Sequence, residues 1–160
     1  MQINSSETNE YIDFVIFHIG NIVCGIDILQ VQEIKRLQGL TLVPRSPPYI
    51  RGVVNMRGQI VTAIDLRQRL DLDPLQFNMI SLAIIVLHKE ELIGLLVDEV
   101  DDVVRAELSS ISAPPGNVCG VQRHFFNGIL KLDETLVAIL DKDKMIEPPG
   151  LSDKKTSVLS

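Results

Sequence analysis

The chain has 160 residues, 46% of them hydrophobic, enough apolar side chain for a real core and too much for a disordered segment. Its formal net charge is -6 and its pI about 5.0, a poor match for a nucleic-acid backbone or an anionic membrane surface, both of which need basic patches. The longest strongly apolar stretch, Met79 to Leu87, is far shorter than the roughly 20 residues that a membrane-crossing helix needs.

Residues 1–10 are polar and lack the apolar core of a secretion signal. Tyr11 to Ile19 then reads as a strand, Gly20-Asn21 as a hairpin turn and Ile22 to Ile28 as the return strand. A short helical stretch is expected from Leu29 to Leu37. Pro44, Pro47 and Pro48 break the chain, after which Gly52 to Met56 and Gln59 to Leu66 form a second hairpin across Arg57-Gly58. Leu82 to Leu87 and Leu92 to Val97 flank a polar turn at His88 to Glu91. Pro114, Pro115 and Gly116 make the next break, and Phe125 to Leu132 with Thr135 to Leu140 form the last hairpin over Asp133-Glu134. Residues 148–160 are a second polar tail. Cys24 and Cys119 are the only cysteines and read as two buried, reduced thiols, not a disulfide framework, so the expected location is the cytoplasm.

The second half repeats the first. With Gly25 set on Gly94, Ile16 meets Ile85, Val23 meets Leu92, Val31 meets Val100 and Ile34 meets Val103. With Gly52 set on Gly128, Met56 meets Leu132, Val61 meets Val137, Ile64 meets Leu140 and Asp65 meets Asp141. The offsets are 69 and 76, so the second copy has a longer middle connection. Each copy has about five short strands, as a small barrel would. Neither is long enough to stand alone, so the two should pack together, and their junction is the first place to seek a groove.

Enzyme signatures are missing. There is no phosphate loop, no dinucleotide fingerprint and no nucleophile elbow. His18, His88 and His124 are far apart and lack metal-ligand spacing. Asp98, Glu99, Asp101 and Asp102 lack the alternation and glycine of a calcium loop and read as a solvated loop or helix start. No metal or cofactor is expected. An enzyme built on that acidic cluster is one rival reading. An OB-like nucleic-acid binder is another, opposed by the net charge and by an aromatic content of only 4%.

Two features point to binding. Glu33 and Arg57 could form a structural ion pair that fixes the hairpin, shape a partner site, or do both. Val31, Ile34, Val100 and Val103 occupy matched positions, where they either pack the halves together or line a groove for an apolar helix.

Over about residues 11–147 the chain resembles the CheW family of bacterial chemotaxis coupling proteins. The resemblance rests on Gly25-Ile26-Asp27-Ile28 with Val31-Gln32-Glu33-Ile34, and on Ile64-Asp65-Leu66-Arg67 and Gly94-Leu95-Leu96-Val97-Asp98. Its most specific part is Arg51-Gly52-Val53-Val54-Asn55-Met56-Arg57-Gly58. It implies an all-β fold of two SH3-like five-stranded barrels packed together, with short helical segments. The first barrel would span about 11–75 and the second about 76–147, with strand exchange between them open. It further implies a non-enzymatic scaffold at the inner face of the membrane, without insertion into it. That scaffold would couple the cytoplasmic tip of a methyl-accepting chemoreceptor to the regulatory domain of the histidine kinase CheA. A related scaffold for pili or another output is the alternative. Val31, Glu33, Gly52, Arg57 and Val103 would lie at or support the receptor-facing groove, together with Ile34, Arg51, Asn55, Gly58 and Val100. Neither a kinase core nor a receiver domain is present, so a stand-alone adaptor fits best.

Overall fold

The computed structural model describes residues 10–73, 80–118 and 121–147. β1 (Tyr11–Ile19) returns as β2 (Ile22–Asp27) across Gly20, whose φ of 59° suits a tight hairpin turn. One 3₁₀ turn, Ile28–Gln30, leads into β3 (Val31–Gln38). β4 (Ile50–Met56), β5 (Gln59–Asp65) and the short helix α1 (Leu66–Arg69) complete the first copy. The second copy holds β6 (Ile80–His88), β7 (Glu91–Leu96), β8 (Glu99–Glu107) and β9 (Ile111–Ser112). The small ribbon of β10 (Asn117–Val118) and β11 (Val121–Gln122) is inserted next. β12 (Phe126–Leu132), β13 (Thr135–Leu140) and α2 (Lys142–Ile146) then repeat the end of the first copy.

Two expectations are corrected here. Leu29 to Leu37 is not helical beyond its first turn, and of the acidic run only Asp98 lies on a bend, while Glu99, Asp101 and Asp102 begin a strand in place of a loop or helix. A β-bulge explains the error. β3 carries one extra residue between Val31 and Glu33, and β8 carries one between Val100 and Val103. The bulge brings residues three apart onto one face. Val31 and Ile34 therefore share a side, as do Val100 and Val103, and a spacing of three mimics a helix.

Apart from the β10–β11 ribbon, the described strands form two sheets, ordered β3-β6-β7-β5-β4 and β8-β1-β2-β13-β12-β9. Each sheet mixes the copies, because the β1–β2 and β6–β7 hairpins have changed places. Parallel pairs β5–β7 and β13–β2 join the foreign hairpin to its host sheet. Residue 75 therefore does not separate the sheets. The barrels are named here for the copy that supplies most of their strands: the first contains β3, the second β8.

Strand alternation sorts the side chains into three cores. Leu37, Met56, Val61, Ala63, Ala83, Ile85 and Leu96 fill the first barrel. Phe14, Ile16, Ala106, Leu130, Val137 and Ile139 fill the second. Val15, Phe17, Cys24, Ile64, Ile84, Val86, Leu95 and Leu140 belong to a third core between the sheets. Hidden strands thus bury both faces, which is why Leu82 to Leu87 reads as an unbroken apolar run. Phe17, fully buried, would cost about 3–5 kcal/mol if cut to alanine. Cys24 is buried in this core, and Cys119 lies outside the described residues.

Matched glycines allow the barrels to close. After β3 the chain crosses β4, where Thr41 and Val53 exchange backbone hydrogen bonds of 2.8 Å each. A Cβ on Gly52 would lie 2.6 Å from the Thr41 carbonyl oxygen. In the second barrel β9 crosses β12, and a Cβ on Gly128 would lie 2.5 Å from Ile111 Cγ2 and 2.8 Å from the Ser112 oxygen. Matched aspartates start the helices: Asp65 accepts from Arg67 N at 3.0 Å, and Asp141 from Lys144 N at 3.1 Å.

Candidate functional site

The β4–β5 turn is built to project Arg57. Arg57 and Gly58 have φ values of 53° and 85°, both positive, as a type I′ turn requires. Asn55 Oδ1 accepts from Gly58 N at 3.0 Å and locks the turn. From it Arg57 reaches across the barrel mouth to Glu33 on β3. Its Nη2 donates to Oε1 at 2.5 Å and its Nη1 to Oε2 at 3.4 Å. Glu33 pairs in register with Ile85 of the barrel interior, so it faces the mouth. The hydrogen bond from Arg57 holds the Glu33 carboxyl below its ordinary range, assisted by the Arg57 and Lys35 charges and opposed by desolvation. The Arg57 side chain stays largely exposed, at 64%, so the pair orients surface groups more than it stabilises the fold.

The four matched apolar residues lie on the other face of β3 from Glu33 and on β8. Val31 pairs with Val86 and Ile34 with Ile84, so both face the core between the sheets. Val100 pairs with Phe17 and Val103 with Val15, on the same core's other wall. Val31 and Val100 are half-buried against it, whereas Ile34 is 39% and Val103 50% exposed. β3 and β8 end their strand orders. The intersheet core therefore reaches solvent along these two strands, as an apolar margin ready for further burial.

Two expected site residues have roles elsewhere. Arg51 Nη1 donates to Asp65 Oδ2 at 2.8 Å, and Asp65 is buried at the start of α1. Gly52 permits the barrel closure described above. Neither shares the turn that carries Arg57, Asn55 and Gly58.

Sequence reasoning passed over the polar joints between the copies. Arg67 grips Asp98 with Nε–Oδ1 and Nη2–Oδ2 distances of 3.0 and 2.6 Å, and Asp98 Oδ2 also accepts from Gly20 N at 2.7 Å. Arg69, buried, donates to the carbonyls of Met145, Lys144 and Glu147 at 2.9, 3.2 and 2.8 Å. It lies over the rings of Tyr49 and Phe125, at 4.9 and 4.8 Å. Burial lowers its pKa, opposed by the Tyr49 and Asp71 charges. An arginine four residues after a capping aspartate was the available signal. Among the described residues no group of histidine, cysteine and carboxylate side chains could hold a metal ion, and no helix is long and apolar enough to cross a membrane.

The family model for the CheW-like domain matches residues 13–149. The chain belongs to the CheW family. It is 31% identical over 134 residues to the chemotaxis protein CheW of Klebsiella aerogenes, covering 84% of this chain and 81% of that one. Identity to the chemotaxis protein CheW of Bacillus subtilis is also 31%, over 83% of this chain and 85% of the relative. The crystal structure of the scaffolding protein TtCheW from Thermoanaerobacter tengcongensis superposes with a TM-score of 0.79 at 29% identity, covering 93% of this chain and 96% of that one. The family accounts for the two SH3-like barrels and makes the chain a chemotaxis scaffold without catalysis.

Proposed function

We propose that this chain couples chemoreceptors to the histidine kinase CheA, and that the apolar margin along β3 and β8 is its receptor groove. A receptor's helical tip lays its apolar side chains on Val31, Ile34, Val100 and Val103. Glu33 and Arg57 stand at the edge of the groove, fixing the β4–β5 turn and presenting polar groups to the same helix. Arg51, Gly52, Asn55 and Gly58 support this edge through the fold. The observation that carries the reading is the bidentate Glu33–Arg57 pair beside an exposed margin of the intersheet core. Through the complex the scaffold gathers at receptor arrays on the inner face of the membrane.

Co-sedimentation with receptor-bearing vesicles and purified CheA tests this. The chain should join the complex and raise kinase activity. Glu33→Arg and Arg57→Glu should each lower receptor affinity by about tenfold, and the double reversal should recover part of it. Circular dichroism should stay native throughout. Absence of the chain from the complex overturns the reading, and loss of fold in the single variants assigns the pair a structural role alone.

A further inference from the structure

Both walls of the proposed groove begin where the chain crosses between barrels. β3 follows β2 from the second barrel into the first, and β8 follows β7 from the first into the second. The two crossings differ. Ile28–Gln30 makes the first as a 3₁₀ turn held by its own neighbours: Asp27 Oδ1 accepts from Leu29 N at 2.9 Å, and Val31 N donates to Ile28 O. Leu29 projects from this turn, 87% exposed. Val97 and Asp98 make the second crossing in two residues, since β7 ends at Leu96 and β8 starts at Glu99.

That short crossing is clamped from both sides. Val97 N donates to Leu82 O at 3.0 Å, in the first barrel, and Asp98 N donates to His18 O at 2.9 Å, in the second. The Asp98 carboxylate spans the same boundary. It accepts the two guanidinium bonds of Arg67, which sits on α1 directly after β5 of the first barrel, and the amide of Gly20 at the β1–β2 turn of the second. Two parallel bonds fix an angle as well as a distance. Arg67 is itself held, since its Nη1 donates to Asp73 O at 3.2 Å and its amide to Asp65 Oδ1 at 3.0 Å. At the repeat offset of 69 the residue matched to Asp98 is Leu29, which has no carboxylate to offer. The clamp therefore belongs to one crossing alone.

Val100 lies two residues beyond Asp98 and Val103 three further along β8. We infer that Arg67 and Asp98 are positioning residues for the groove: they fix the root of β8 against both barrels and so place Val100 and Val103 relative to Val31 and Ile34. The inference rests on the reading of the β3–β8 margin as the receptor groove. One wall is pinned to both barrels, while the other starts from a turn that only local bonds hold.

Co-sedimentation of the full chain with receptor-bearing vesicles, joined to methyl spectra of the valines, tests it. Asp98→Asn removes the charge. Arg67→Lys keeps the charge but cannot grip both oxygens, and it carries the test if Asp98→Asn does not fold. Receptor affinity should fall about tenfold in the first and about threefold in the second, because a wall no longer held in advance must be ordered on binding. Val103→Ala should cost about fivefold in the unsubstituted chain and about twofold or less in the variant chains, a coupling that independent sites do not show. The methyl resonances of Val100 and Val103 should move in both variants, and those of Val61 and Val137, inside the barrels, should not. Unchanged receptor affinity in natively folded variants, or an undiminished cost of Val103→Ala, overturns the inference and leaves the groove standing. Equal movement of all four valines, or failure of both variants to fold, gives the pair a purely structural role and overturns it too. If Val103→Ala leaves receptor binding of the unsubstituted chain unchanged, the groove reading falls and takes the inference with it.

Discussion

The mouth of the first barrel is spanned by Glu33 and Arg57, while Asp102 and Asp133 stand at the same two places in the second. Beneath them the floors are alike, with Ile85 and Val61 in one barrel and Ile16 and Val137 in the other. The crossing glycines and capping aspartates also agree. Duplicated barrels must keep whatever lets the backbone close, because a side chain at Gly52 or Gly128 meets the crossing chain. They are free to diverge at the rim, where a changed charge costs little folding energy and alters what the surface attracts. Function is therefore best sought where the copies disagree.

That comparison can be broken at several depths. The deepest is closure. Gly52→Ala should cost about 3 kcal/mol or more, since its φ of 143° is unfavourable for any side chain and the Thr41 carbonyl leaves no room. Gly128→Ala should cost about 2 kcal/mol, part of its clash being with the Ile111 side chain, which can shift. Urea unfolding of both variants measures the difference, and equal stability to the parent would refute the shared closure.

Next comes the joint between the copies. Arg69 corresponds to Met145, whose carbonyl it holds. Arg69→Met should lose about 2 kcal/mol, because three carbonyls at the end of α2 lose a charged donor. Hydrogen exchange should show α2 opening first.

The rim titrates. Arg57 depresses the Glu33 carboxyl in the folded chain, so its contribution is complete above the ordinary glutamate range and is lost as pH falls through the lowered value. Receptor affinity should stay flat from neutral pH down through the ordinary glutamate range and fall a few-fold only below it, whereas Arg57→Gln should remove this acid limb.

The smallest effect lies in the turn. Asn55→Ala should cost about 0.5–1 kcal/mol by freeing the Gly58 amide, and Lys131→Ala, at the matching position, should be silent within the precision of thermal unfolding.

Much of this was legible in the sequence, for local reasons. Glycine, asparagine and aspartate at Gly20-Asn21, Arg57-Gly58 and Asp133-Glu134 mark turns whose geometry depends on two residues. The Glu33–Arg57 pair was legible because it breaks the repeat. β3 and β8 were not, since a bulge gives them a helix-like spacing. The pairing of β5 with β7 and of β13 with β2 is non-local and parallel, and no pattern within a strand announces it. Arg51 was placed with the site as part of the Arg51–Gly58 signature; it is the unpaired residue of a bulge between Ile50 and Gly52, and its guanidinium reaches Asp65. Asp102 was read within the acidic cluster and Asp133 as a turn residue; the repeat offsets of 69 and 76 match them to Glu33 and Arg57.

The exchanged hairpins bear on how the chain is made. Synthesis runs from the N-terminus, so β1 and β2 leave the ribosome before the strands they pair with outside their own hairpin, β8 and β13. The first barrel can close once β7 is out, at Leu96, with the earliest hairpin still waiting beside it. Its Phe14 and Ile16 stay uncovered until Leu140 has been added. A nascent chain halted between these two points would hold one finished barrel and one adhesive hairpin, the form in which it would most readily be lost to aggregation or claimed by a chaperone.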